Sequence, residues 1–461
     1  MDKSHYLRIK FIHISNVSRK FGHPIDRTVK CLIGCLIFIP MSTPIIEAPP
    51  ATTTHGSLGL GRGTALFLGS VLGPGVLALP RLAAHAAGPA SIVAWVGLLL
   101  LSVPVSFTFA ALGARYPGAG GMSAFAKRAF GQRSSVVVGW WFYFLIPVGT
   151  PAAAFVGAEY VASPWRLGHG ATVAIALGFV VAAFGLNHLG LRLSGGAQML
   201  LMALLIILLV TAVAVASPHL HAANFTPFAP HGVGGILAAV AVLYFGFAGG
   251  EAVAHLSGEF RDPAHQLPRV TATTLAIIAV IYIGLSVVVV GALGGAAGSS
   301  PVPITDLLAF GLGGAAPLVT AVAAAVLTLG VMNVFIASAS RLGAVLARDG
   351  ALPRVLAGGH EPGRIPHRSL LLLAGLALVT TTVASIWRLD LDTLMRLASG
   401  CLAAVSVVGT ACGVRLLPGR LAKTLAAVST VLTCVVLVSL GWTLLVPLVI
   451  GAAALCYARF R

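Results

Sequence analysis

From Thr64 onward the chain is a succession of apolar runs, each close to the roughly 20 residues a helix needs to cross the hydrocarbon core of a bilayer. Inside lipid no water is present to bond backbone N–H and C=O groups. Runs of this length must therefore be helical, with each backbone group satisfied locally. Composition agrees: 58% of the 461 residues are hydrophobic, only 9% are charged, and the mean hydropathy is +0.98. A soluble domain carries roughly 25% charged residues, so most of this surface faces something apolar.

The predicted fold is an all-α membrane protein of about twelve transmembrane helices. The runs lie near 64–84, 90–112, 136–161, 172–191, 196–217, 233–256, 270–294, 315–340, 369–387, 393–416, 421–438 and 441–457. With the N-terminus placed in the cytoplasm, 25 Lys and Arg fall on that side and three, Arg81, Arg166 and Arg388, on the other, with Arg396 inside a span. An excess of Lys and Arg marks the cytoplasmic face, which predicts that orientation. Residues 1–55 hold seven Lys/Arg, and their apolar run, Cys31–Ile39, is too short to span. They read as a cytoplasmic, mostly disordered tail, with Met41 as an alternative start. The net charge of +17 lies in loops rather than along one face, which argues against a nucleic-acid partner. The six cysteines lack metal-site spacing and give no disulfide framework. No metal and no cofactor is predicted.

Two spans are not ordinary helices. The first carries Gly69 and then Leu72-Gly73-Pro74-Gly75-Val76. Pro74 lacks an N–H and clashes with the preceding turn, while glycines on either side permit non-helical backbone. The helix should unwind there, and free amides at membrane depth are tolerated where they line a cavity. The half-helix starting near Gly75 would point its positive end at a carboxylate. A glycine-mediated helix contact with a proline kink is the plainer alternative. The sixth span has a matching interruption, Tyr244-Phe245-Gly246-Phe247-Ala248-Gly249-Gly250-Glu251. Interrupted helices at corresponding places of two halves point to a transporter site. Amides on one break and carbonyls near Phe245 to Ala248 on the other would receive a zwitterion, hence an α-amino acid.

With these motifs the chain resembles the amino acid–polyamine–organocation superfamily of transporters from residue 56 onward. The resemblance rests on Gly69–Gly75, on Arg115-Tyr116-Pro117-Gly118 running to Ala129-Phe130-Gly131, on Gly250-Glu251 with Glu259-Phe260-Arg261-Asp262-Pro263 and Pro268-Arg269, and on Ser340-Arg341-Leu342 with Ala347-Arg348-Asp349-Gly350. Ile146-Pro147-Val148-Gly149 and Glu251-Ala252 make it most similar to the bacterial exporters of methionine and branched-chain amino acids. The resemblance implies a five-plus-five inverted repeat, residues 56–217 and 233–416, with two further helices over 421–457. It implies a substrate site of Gly69, Leu72, Gly73, Gly75, Val76, Ile146, Phe245, Phe247, Ala248 and Gly249, with Met332 also in the lining.

A carboxylate within a span is costly and is by default a functional candidate. Glu251 is therefore read as a proton carrier or as a cap for amides of the broken helix. His255, one turn on, is a candidate partner for it, or a polar residue near the membrane edge. Glu159 reads as interfacial. Glu259, Arg269 and Arg341, with Asp262, Arg348 and Asp349, form a candidate cytoplasmic gate or loop tether, with plain solvated charge as the alternative. The loop 115–131 is expected to lie along the membrane as a short amphipathic helix bearing Lys127 and Arg128.

The predicted core offers neither a second acid for a basic side chain nor an Arg/Lys cluster for an acidic one. The expected substrate is a neutral, apolar L-amino acid: methionine, leucine, isoleucine or valine. Span five, Gly195–Ser217, has no lysine to act as a built-in cation, and Ser338 and Ser340 sit near the cytoplasmic end of span eight. Efflux by proton antiport is the default. An uptake permease of the same fold and a transporter-like sensor are the alternatives. An enzyme would need a catalytic constellation inside the spans, and only Glu251 and His255 qualify, so no catalytic residue is assigned.

Overall fold

The computed structural model describes residues 59–117, 121–190, 195–247, 251, 254, 257–359 and 365–459. The tail 1–55, and Ala248, Gly249 and His255 of the candidate site, lie outside the described residues. Fifteen α-helices are formed among the described residues: α1 Leu60–Val71, α2 Gly75–Ala87, α3 Ser91–Arg115, α4 Gly121–Phe130, α5 Gln132–Ala162, α6 His169–His188, α7 Gly195–Ala216, α8 Gly232–Leu243, α9 Pro263–Leu293, α10 Pro303–Leu312, α11 Ala316–Arg348, α12 His367–Ile386, α13 Leu391–Leu416, α14 Arg420–Ser439 and α15 Leu445–Arg459.

Ten helical segments among these residues are long and apolar enough to cross a membrane. The other two apolar runs are built differently. Residues 64–84 divide into α1 and α2 around the non-helical residues 72–74, and the run from 233 is α-helical only to Leu243, continuing as a 3₁₀ turn over Tyr244–Phe247. The outer surface is apolar: Val280, Trp387, Leu189, Val233 and Ile386 are each more than 70% exposed. Exposed apolar area on this scale is stable against lipid and costly in water.

The α13 helix is the axis of the bundle. In its apolar stretch 83% of residues are buried, against 22% in α15. It packs against α3, α4, α5 and α14. The longest central partner, α5, tolerates two internal prolines because a neighbour repairs the damage. Pro151 has no N–H for the carbonyl of Pro147 four residues back, and Thr380 of α12 donates its hydroxyl to that carbonyl at 2.6 Å. Elsewhere, many buried Ser and Thr return their hydroxyls to their own helix, as in Thr381 to Ala377 O at 2.7 Å and Thr410 to Ser406 O at 2.8 Å, although the buried hydroxyls of Thr271, Thr274 and Thr328 have no partner among the described residues.

Candidate functional site

The break between α1 and α2 opens on a cavity of about 100 Å³. Ser70, Val71, Gly73, Pro74 and Gly75 form one wall, and Phe245 and Gly246 of the 3₁₀ turn another. Residues 145–153 of α5, residues 331–336 of α11 and Leu402 of α13 complete it. Among the described residues, Ser70 and Thr150 are the only polar side chains in the lining. Both are already bonded to their own helix, Ser70 to Phe67 O at 2.7 Å and Thr150 to Ile146 O at 2.6 Å. Among the described residues the walls carry no charged side chain.

The glycines have distinct uses. A Cβ on Gly75 would lie 3.0 Å from Cδ1 of Phe245, so glycine here lets the ring rest on the backbone. A Cβ on Gly73 would meet only Val331, at an ordinary 3.6 Å, and would fill cavity space. The broken backbone is largely bonded to itself: Gly73 N donates to Val71 O, Val76 N to Gly73 O and Leu77 N to Pro74 O. The Gly75 N–H makes no backbone hydrogen bond among the described residues. On the facing turn, Tyr282 of α9 donates to Gly246 O at 3.2 Å and packs on Trp95 and Phe247 with ring centroids 4.6 and 5.5 Å away. The turn is thus pinned from behind, and one of its carbonyls is taken.

Of the residues singled out in the sequence, Gly73, Gly75, Ile146, Phe245 and Met332 share this cavity. Leu72 and Val76 are buried elsewhere in the core, and Gly69 faces Met202 and Gln198 of α7. Phe247 lines a second, smaller cavity of about 20 Å³ with Glu251, Tyr244, Ser102, Ser106 and Ser406. Val71 borders both cavities. Glu251 is 3% exposed. Its Oε1 accepts a hydrogen bond from Ser406 at 2.5 Å, and its Oε2 has no partner among the described residues.

Glu259, Arg269 and Arg341 are all exposed, and no ion pair joins Glu259 to Arg269 among the described residues. Asp262 instead caps α9, accepting from the backbone N–H of His265 and meeting its ring at 2.7 Å. That contact holds the Asp262 carboxyl below the usual range. The firmer ion pairs lie at the opposite end. Arg81 of α2 meets Glu159 of α5 at 3.1 Å, and Arg396 meets Asp392 at 2.6 Å while donating to Ala238 O at 2.8 Å. These line or border a third cavity of about 450 Å³, with Arg388, Asp390, His85 and His169 in its walls. Sequence reasoning missed the first pair, although two opposite charges at the same end of neighbouring spans were a usable signal.

A bundle of apolar helices around an uncharged cavity, with a helix broken at its edge, defines a small-molecule transporter. The chain belongs to the amino acid permease family, whose model matches residues 58–452. It is 33% identical to the L-methionine/branched-chain amino acid exporter YjeH of Escherichia coli K12, over 86% of this chain and 94% of that one. It is 32% identical to the uncharacterized amino acid permease YecA of Bacillus subtilis, over 87% and 95%, and 25% identical to the branched-chain amino acid permease BcaP of the same organism, over 66% and 70%. The protein is accordingly a multi-pass membrane transporter.

Proposed function

We propose that the protein is a secondary active transporter of neutral, apolar L-amino acids such as methionine, leucine, isoleucine and valine, working as an exporter by proton antiport in a bacterial inner membrane with its N-terminus in the cytoplasm. The carrying observation is the cavity lining: Ile146, Val331, Met332, Phe335, Ile336 and Leu402 surround it, and no charged side chain enters among the described residues. Such a wall rewards burial of an aliphatic or thioether side chain and penalises an unpaired charge. The α-carboxylate and ammonium are left to backbone groups at the two interruptions, with the Gly75 N–H available to the carboxylate. The arrangement fits a twelve-span protein with two inverted five-helix repeats and two further helices. The names of YjeH and BcaP support the same substrate class.

Glu251 is the proton carrier in this reading. It is buried one cavity away from the substrate, next to Val71, and only one of its two oxygens has a described partner. Export accounts for the likeness to YjeH, whereas an uptake permease would use the same cavity. Counterflow in proteoliposomes with a panel of labelled amino acids, with and without a pH gradient, separates these cases. Exchange of methionine and the branched-chain amino acids, accelerated by a pH gradient opposed to their movement, is the expected result. Preferred exchange of a charged amino acid would refute the reading.

A further inference from the structure

The end of the bundle where α3 and α13 finish and α4, α5 and α14 begin carries Arg115, Lys127, Arg128, Arg133, Arg415, Arg420 and Lys423. Neither residues 82–158 nor residues 393–461 contain a single Asp or Glu, so these helices bring no acid of their own. The cations are also gathered rather than spread. The guanidinium carbons of Arg115 and Arg128 lie 5.7 and 4.8 Å from the centroid of one ring, Tyr116, and that of Arg415 lies 5.7 Å from Phe130. The Tyr116 hydroxyl donates to Leu416 O at 3.5 Å, which ties this ring to the end of α13. Arg128 and Arg415 are half-buried. The turn holding Glu259 packs on α3, yet none of Arg115, Lys127 and Arg128 forms an ion pair among the described residues.

Like charges drawn onto one ring repel unless an anion lies between them. Guanidinium groups fit phosphate in a fork of paired N–H donors. The ends of α3, α13 and α14 are where membrane-crossing segments leave the hydrocarbon, and rings such as Tyr116 and Phe130 are characteristic of that level. The phosphates found at this depth belong to lipid. We propose that Arg115, Arg128 and Arg415, arranged on Tyr116 and Phe130, form a binding site for the phosphate headgroup of an anionic phospholipid. Retention of Lys and Arg for topology alone would require neither the shared ring nor the tie to α13.

The test uses the full-length protein, delipidated in neutral detergent and mixed with phosphatidylglycerol and phosphatidylcholine, with bound lipid counted by native mass spectrometry. The wild type should retain phosphatidylglycerol in preference to phosphatidylcholine, and excess inorganic phosphate should not displace it. Arg115→Gln/Arg128→Gln/Arg415→Gln should lower that preference roughly tenfold or more. The single Arg128→Gln, which leaves most of the basic end intact, should lower it several-fold. Arg166→Gln/Arg388→Gln, at the opposite end, should leave it unchanged. Equal retention of the two lipids by the wild type, an undiminished preference in Arg128→Gln, or displacement by inorganic phosphate would each overturn the proposal.

Discussion

Ser406 of α13 donates its hydroxyl to Oε1 of Glu251, so the one carboxylate buried in the middle of the bundle is held by the most buried helix of the fold. Glu251 lines a small cavity with Tyr244 and Phe247, and its other oxygen, Oε2, has no described partner. The proposed role of Glu251 as proton carrier rests on this oxygen without a described partner.

Glu251→Gln keeps the shape of this side chain and the bond from Ser406 while removing the titration. Exchange of labelled substrate across proteoliposomes should persist, and its acceleration by a pH gradient should disappear. Retention of that acceleration would assign the proton to another group.

Gly73 borders the cavity with only Val331 across from its missing Cβ. Gly73→Ala should fold normally and lower kcat/KM for leucine, isoleucine and methionine roughly tenfold or more, the order expected for one misplaced methyl in a hydrophobic pocket, with a smaller loss for alanine. Gly73→Leu should abolish transport while membrane insertion, read from the amount extracted from membranes, stays intact.

Arg81 and Glu159 join α2 to α5 across the end opposite the basic cluster, with side chains 12% and 24% exposed. Removing one partner strands a charge that is largely out of water. Glu159→Gln should lower stability by about 1–2 kcal/mol, less than for a fully buried pair because part of the site is wet. Thermal unfolding in detergent measures this. The swap Arg81→Glu/Glu159→Arg should recover part of the loss.

Gly157 of α5 lies where α6 and α11 cross it. A Cβ there would stand 2.6 Å from Thr328 Oγ1 and 3.0 Å from Phe179 Cε2. Close helix approach in membranes depends on such small residues. Gly157→Ala should cost about 1–3 kcal/mol through overpacking, seen as a lower melting temperature with the order of substrate preference unchanged.

Much of the architecture was legible in the sequence because its signals are local. Length and apolar content mark a spanning helix without reference to neighbours, and ten of the runs are seen as such segments. Pro74 with its flanking glycines marks an interruption by its own covalent geometry, and α1 and α2 part at that place. The amphipathic reading of 115–131 found α4 with Lys127 and Arg128 in its last turn. The absence of charge from the spans already pointed to an apolar site.

The tertiary structure alone decided which faces meet. Soluble helices announce their inner side with an apolar stripe, but helices in lipid are apolar all round, so sequence could not separate Gly73, Ile146 and Met332, which share the cavity, from Leu72 and Val76, which do not. The decisive polar contacts are also remote in the chain: 78 residues separate Arg81 from Glu159, and 155 separate Glu251 from Ser406. Spacing within one helix carries no information about a partner on another. The packing of α5, α11 and α13 supplied those partners.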